Sequence, residues 1–451
     1  MDANLNEKVL MGMGIESVCA ADGTFKIVTL GAEVTLKPGG ELSVQQRIGA
    51  HREVLRCQLP EHLSPWRLAR WTPFHCVLAG NGLNLTVQGD SVLVFAPQQH
   101  LRLAFEGSFR PHYAEEVKGN RLLLDPTGGC GFFGIPPRPT QLEGKAASSW
   151  RLHTHLARWD ELWVSICPPR ALDRERFYES ISHEATPEEP YPSTEVIRST
   201  AEHCQILTLH SYWAAALPAG AENPPGANYP LPNSWAPCRH VPADAKEFAR
   251  VRDEAHRLRM KLIPYLSPYY SNAPDLPAEI ERVLKEYEVD GLYFDGWIGE
   301  RDDFRDGYHL MRQARAILGD RVLYVHSSTE PFGNCRVYLP FVEAYADFVL
   351  SGESSRAGLG LEEFLRYTVS AYQISNSVGM WCYYGSWSDE PGYHDIVPKT
   401  EHIEMALRNH VRLWRFAQAW SKQPPEDLAR FDREYYGGLN KLRVNQATPA
   451  Y

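Results

Sequence analysis

Val289-Asp290-Gly291-Leu292-Tyr293-Phe294-Asp295-Gly296-Trp297 is an apolar run that ends abruptly in a carboxylate, a glycine and an indole. Just upstream, Pro277 to Glu288 repeats Ile280, Val283, Leu284 and Tyr287 at i, i+3, i+4 and i+7, the spacing of one helical face. The stretch therefore reads as helix, tight turn at Asp290-Gly291, then buried strand. A strand of Leu, Tyr and Phe keeps no polar side for water, so both of its faces are expected to be covered, as in parallel sheets wrapped by helices. Ligands gather beyond the carboxyl ends of such strands, which makes Asp295 a candidate catalytic group; the plainer reading is a helix cap or turn residue.

Outward from that strand the texture is a repeated alternation. Cys204 to His210, Lys261 to Leu266, Arg321 to His326, Asp347 to Leu350 and Val378 to Gly385 read as strands. Asp244 to Arg259, Asp303 to Leu318, Leu361 to Ile374 and Thr400 to Trp420 read as helices. Strands alternating with helices predict βα units around a parallel sheet. With the Asp295 strand that makes six strands, so a closed eight-stranded barrel needs two more. The tail Asn440 to Asn445 reads as a strand just beginning, and the natural chain is expected to continue past Tyr451.

Before this lies a different pattern. From Phe25 to about Cys167, short β-type runs such as Ala32 to Leu36, Leu83 to Val87 and Glu161 to Ile166 are separated by Gly-rich and Pro-rich turns, which predicts an antiparallel sandwich. Leu172 to His183 reads as a short helix and Glu184 to Pro192 as a proline-stiffened linker. The expected fold class is α/β and β: an N-terminal antiparallel β-sandwich over residues 1–185, then a (β/α)8-type TIM barrel over 186–451. The sandwich carries no constellation of His, Cys or carboxylates; its expected role is structural, with sugar binding as the lesser alternative.

Composition narrows the partners. The 451 residues carry a formal net charge of -10 and no basic tract suited to a phosphate backbone, so nucleic acid is not expected. No apolar run reaches the ~20 residues of a membrane span, and Met1 to Lys8 lacks the basic and apolar regions of a signal peptide. A cytoplasmic protein is expected, a secreted form with its signal removed being the alternative; oligomeric state is open. The nine cysteines have no C-x-x-C or metal-finger spacing and read as reduced. With 12 Trp and 22 Tyr the chain is rich in flat rings, the usual platforms for the apolar faces of sugars.

If the strands are parallel, their carboxyl ends bring His210 and Trp213, Tyr265, Asp295 and Trp297, His326 and Glu330, Glu353 and Arg356, and Tyr383 and Trp387 around one mouth. A pocket ringed by Tyr and Trp and holding a few acids suits a neutral, hydroxyl-rich ligand. Glycoside hydrolysis needs two carboxyl groups, one to protonate the leaving oxygen and one, ionised, to attack carbon or activate water. Asp295 is the expected nucleophile or base, Glu353 the acid or acid/base, and Glu330 the second candidate acid. His210, Trp213, Tyr265, Trp297, His326, Arg356, Tyr383 and Trp387 are the candidate substrate-binding residues. No cofactor and no metal are expected: His210, His240 and His326 with Asp295 show no ligand spacing. The expected partner is an oligosaccharide or glycoside, with no membrane.

At Asp290-Gly-Leu-Tyr-Phe-Asp-Gly296 the chain resembles retaining glycosidases of the melibiase-like, α-galactosidase-type barrel superfamily, over residues 200 to 390 in outline. The resemblance implies a sandwich followed by a TIM barrel, an Asp295 nucleophile, and an acid/base two strands later, where Glu353 falls. The pattern departs at two points: that family carries Lys-Trp-Asp and an Asp acid/base, where this chain has Tyr-Phe-Asp and a Glu. Two other readings remain: a non-catalytic carbohydrate-binding protein on the same scaffold, and a metal-dependent hydrolase or lyase of sugar derivatives.

Overall fold

The computed structural model describes residues 10–114, 116, 117, 119–144, 147–171, 179–186, 188–210, 212–214, 237–268, 271–295, 304–326, 339–350, 362, 378–382, 397–409, 411–415, 417, 420 and 422–445. Within them, sixteen strands form two antiparallel sheets of eight, and a third sheet of eight strands is parallel throughout. No helix of the described residues is long and apolar enough to cross a membrane.

The two antiparallel sheets share one core because their strands alternate. In Ala32–Leu36 and Leu83–Gln88 every second residue is buried, as the period of two demands when one face meets a partner sheet. The second sheet is covered on both faces. Leu93 and Phe95 point into the sandwich core, whereas Val92 and Val94 join the core of the parallel sheet and its helices. Phe133 and Trp163 extend that second contact, their rings meeting Phe304, Tyr308 and Phe341 at centroid distances of 5.1 to 6.2 Å. Polar ties cross the same junction: Arg170 donates to the Ala344 and Ala346 carbonyls, each at 2.8 Å, and the Tyr345 hydroxyl donates to Asp90 at 2.7 Å.

The parallel sheet runs Ser180–Glu184, Ile206–His210, Lys261–Leu266, Gly291–Phe294, Val322–His326, Phe348–Leu350, Val378–Cys382 and Arg412–Trp414. It curls until its ends meet, since the Ser182 N–H donates to the Arg415 carbonyl at 2.9 Å, giving a barrel-like domain. Helices follow the sequence periodicity: Ala245–Arg257 is capped by Asp244, whose side chain accepts from Lys246 and Glu247, and Leu276–Tyr287 by Asp275, which accepts from Ala278. Gly291 is required by a close approach, because a Cβ there would run into the Val322 carbonyl.

Three expectations are corrected. Residues 180–184, read as the end of a helix and the start of a linker, are the first strand of the parallel sheet. The helix read over Thr400 to Trp420 stops at Arg408, and Arg412–Trp414 is the last strand. These are the two strands the sequence reading lacked. The tail read as a strand is helix Gly437–Asn445, continuing from Pro425–Phe431 through a π-turn; Phe431, Tyr435 and Leu439 are its buried stripe.

Candidate active site at the carboxyl ends of the parallel strands

Register places the candidate residues. Parallel pairing aligns Tyr265 with Tyr293 and Tyr293 with Tyr324, and aligned residues on neighbouring strands project from the same face. Their rings accordingly meet, at 5.8 Å and 4.6 Å between centroids. His210, one residue past the Leu209–Pro264 pair, joins the layer, its ring 4.4 Å from that of Tyr265 and 5.5 Å from that of Tyr293. Two residues on from Tyr293 and Tyr324 come Asp295 and His326, so the period of two sets them above the aromatic layer on the same face.

There the carboxylate is gripped by imidazoles. His326 Nδ1 lies 2.7 Å from Asp295 Oδ1, and His210 Nε2 lies 3.9 Å from Asp295 Oδ2. The Tyr293 hydroxyl is 3.2 Å from the same His326 Nδ1, and the backbone N–H of Asp295 reaches the Leu266 carbonyl at 3.4 Å. His326 is buried while the Asp295 and His210 side chains are each 20% exposed, so the imidazole is enclosed and the carboxylate is partly reached by solvent. A layer of tyrosine rings, Tyr265, Tyr293 and Tyr324, lies beneath it.

The structure thus brings Asp295, His210, His326 and Tyr265 together. It does not bring Trp213 to them as a wall of the site: the indole is 1% exposed, packed on Phe248 and Tyr287, with its N–H donated to the Tyr265 carbonyl. It supports the strand from behind. His240 stands apart as well, its Nδ1 3.1 Å from Glu279 Oε1 and its ring edge-on to Trp213. Glu353, Glu330, Trp297, Arg356, Tyr383 and Trp387 lie outside the described residues. Among the described residues no three His, Cys, Asp or Glu side chains converge as a metal-binding group.

Two neighbours escaped the sequence reading. Tyr293 was read as an apolar strand residue, yet its hydroxyl reaches the histidine that grips Asp295. Glu184 ends the first parallel strand in register with His210; the proline-rich segment after it disguised that strand as a linker. The signal for Glu184 was available in the alternation of Ser180, Ser182 and Glu184, a small-polar face ending in an acid.

No family model matches the chain, and no curated protein matches it in sequence. Solved structures overlap it loosely. A GH31 family sulfoquinovosidase from E. rectale in complex with an aza-sugar inhibitor is 10% identical, with a TM-score of 0.44 over 94% of this chain and 82% of that one. A glucosidase II alpha subunit bound to Glc1Man2 is 8% identical, with a TM-score of 0.40 over 95% and 68%. The cycloalternan-forming enzyme from Listeria monocytogenes in complex with a pentasaccharide is 9% identical, with a TM-score of 0.40 over 94% and 54%. Overlaps this loose assign neither fold nor activity, and the functional reading rests on the residues themselves.

Proposed function

We propose that this chain is a glycoside hydrolase with a (β/α)8 catalytic barrel, in which Asp295 is the ionised carboxylate. The supporting observation is Asp295, its side chain 20% exposed at the end of a parallel strand, gripped by His326 at 2.7 Å and faced by His210 at 3.9 Å. Glu353, three residues past the Phe348–Leu350 strand, is the acid or acid/base, and Glu330 the alternative. The acid gives its proton to the leaving oxygen as the bond from that oxygen to the anomeric carbon breaks. An oxygen of Asp295, or of a water it deprotonates, forms the new bond. We assign His210 and His326 to holding Asp295 and Tyr265 to the floor beneath it, with Trp297, Arg356, Tyr383 and Trp387 assigned to the sugar from sequence. Kinship with melibiase-like glycosidases rests on the Asp290 to Gly296 string alone.

A panel of aryl glycosides and neutral oligosaccharides tests the reading. The chain turns over at least one member, and Asp295→Asn lowers that rate by roughly 10²- to 10⁴-fold while changing stability by less than about 1 kcal/mol. Sugar binding without turnover of any member refutes it in favour of a binding protein. Turnover abolished by a chelator and restored by a divalent ion refutes it in favour of a metal-dependent enzyme.

A further inference from the structure

Trp159 is 71% exposed, the most exposed large apolar side chain among the described residues. It sits in the turn between the Trp150–Leu156 and Glu161–Cys167 strands of the sandwich, with φ at +73°. That is left-handed backbone, which suits glycine and which a bulky side chain rarely adopts. A tryptophan held in such a conformation and pointed at water gains nothing from the core.

The turn beneath it is locked. The Trp159 N–H donates to the Pro97 carbonyl at 3.1 Å. Asp160, buried, accepts from the Ala157 N–H at 2.7 Å and from Nε and Nη2 of Arg138, both at 2.8 Å. The Arg158 guanidinium lies 4.6 Å from the centre of the indole and covers one of its faces. One flat ring is thus displayed at a fixed angle, with a cationic donor beside it and the exposed amide of Gln98 next to Pro97.

The turn also has a definite address. Glu161, two residues on, pairs with Arg305 at 3.2 Å, and Arg305 opens the helix that follows the Gly291–Phe294 strand. In a parallel βα unit the helix starts from the carboxyl end of its strand, so Trp159 stands toward the end of the molecule that carries Asp295.

We propose that Trp159, with Arg158, is an accessory glycan-binding platform on the sandwich that holds a neutral polysaccharide whose cleaved end enters the Asp295 site. A sugar ring lays its apolar face on the indole face opposite Arg158, whose stacked guanidinium holds the ring in place. The proposal rests on the glycosidase reading for the class of its ligand, and its test is run without turnover. In native affinity gels cast with amylose, mixed-linkage β-glucan, xylan or galactomannan, the full chain carrying Asp295→Asn is retarded by at least one polysaccharide. Adding Trp159→Ala or Trp159→Gly weakens that retardation about tenfold, the loss of one stacking contact. Trp159→Gly also melts at the same temperature as its parent or higher, because glycine relaxes the left-handed backbone.

No retardation of the parent by any of the four polysaccharides overturns the proposal, as does equal retardation of the Trp159 variants. A lower melting temperature for Trp159→Gly overturns it too, by making the indole structural. Concentration-dependent dimerisation lost in Trp159→Ala, without retardation, reassigns the indole to a protein contact. Retardation that depends on Trp159 in a chain that hydrolyses nothing preserves the platform and removes the glycosidase reading.

Discussion

The parallel sheet uses aspartate at both of its rims, and the two rims treat it differently. At the rim where strands begin, Asp290 and Asp347 each turn a carboxylate back onto a preceding strand. Asp290 accepts from the Leu262 N–H and Asp347 from the Leu323 N–H, both at 2.8 Å. Each also has a side-chain donor at 2.8 Å, His256 for Asp290 and Arg315 for Asp347. Those carboxylates stitch neighbouring strands together through the backbone. At the rim where strands end, the described partners of the Asp295 carboxylate are imidazoles. A carboxylate tied to backbone amides holds neighbouring strands together; the one at the far rim is held by titratable side chains and is 20% exposed.

Three experiments break or sharpen this contrast. Asp347→Ala has the largest expected effect on stability. It strips a buried carboxylate from Arg315, whose side chain is 0% exposed, and removing one partner of a buried pair costs about 3–5 kcal/mol. Chemical denaturation reads that loss; a loss below about 1 kcal/mol would erase the distinction between the rims. His326→Gln at the other rim moves activity instead. With the donor to Asp295 displaced, kcat falls about 100-fold, the scale of a misplaced catalytic group, while the denaturation midpoint changes little.

The third experiment separates the histidines. His183, buried and hydrogen-bonded to the Tyr212 hydroxyl, is pushed down by burial to about 3. Its ordinary value is 6.5, so between those limits the unfolded chain binds the proton and the folded chain does not. Stability from this group is therefore whole above about pH 6.5 and is lost as pH falls toward 3, at about 1.4 kcal/mol per pH unit. Denaturation at pH 7 and pH 5 gives a difference about 2 kcal/mol smaller in His183→Gln than in the parent. An unchanged difference would return His183 to the class of exposed histidines.

How much of this was legible in the sequence depended on the range of the interaction that decides each element. Leu276–Tyr287 and the Asp295 strand were readable because caps, periodicity and a continuous apolar run are local. Strand-end logic placed Asp295, His210, Tyr265 and His326 at one rim, and there the four lie together. The first strand, Ser180–Glu184, hid because its residues are small or polar and its signal lies in its partners. Arg412–Trp414 hid inside a helical pattern, since what makes it a strand is remote: Arg412, fully buried, pairs with Glu179 at 2.7 Å across the closure of the sheet. The Gly437-Gly438 pair masked the terminal helix, although Gly438 serves a close approach in which a Cβ would strike Leu407. Trp213 misled for a related reason, because its place at a strand end said nothing of the Phe248 and Tyr287 rings that cover it.

The central claim is that Asp295 supplies the catalytic carboxylate, and the most direct measurement is turnover of a reactive aryl glycoside by folded Asp295→Ala with and without azide. The account predicts negligible turnover in buffer, and with azide a restored release of the aryl group accompanied by a glycosyl azide. Turnover at the parent rate without azide, in a variant that melts like the parent, would contradict it.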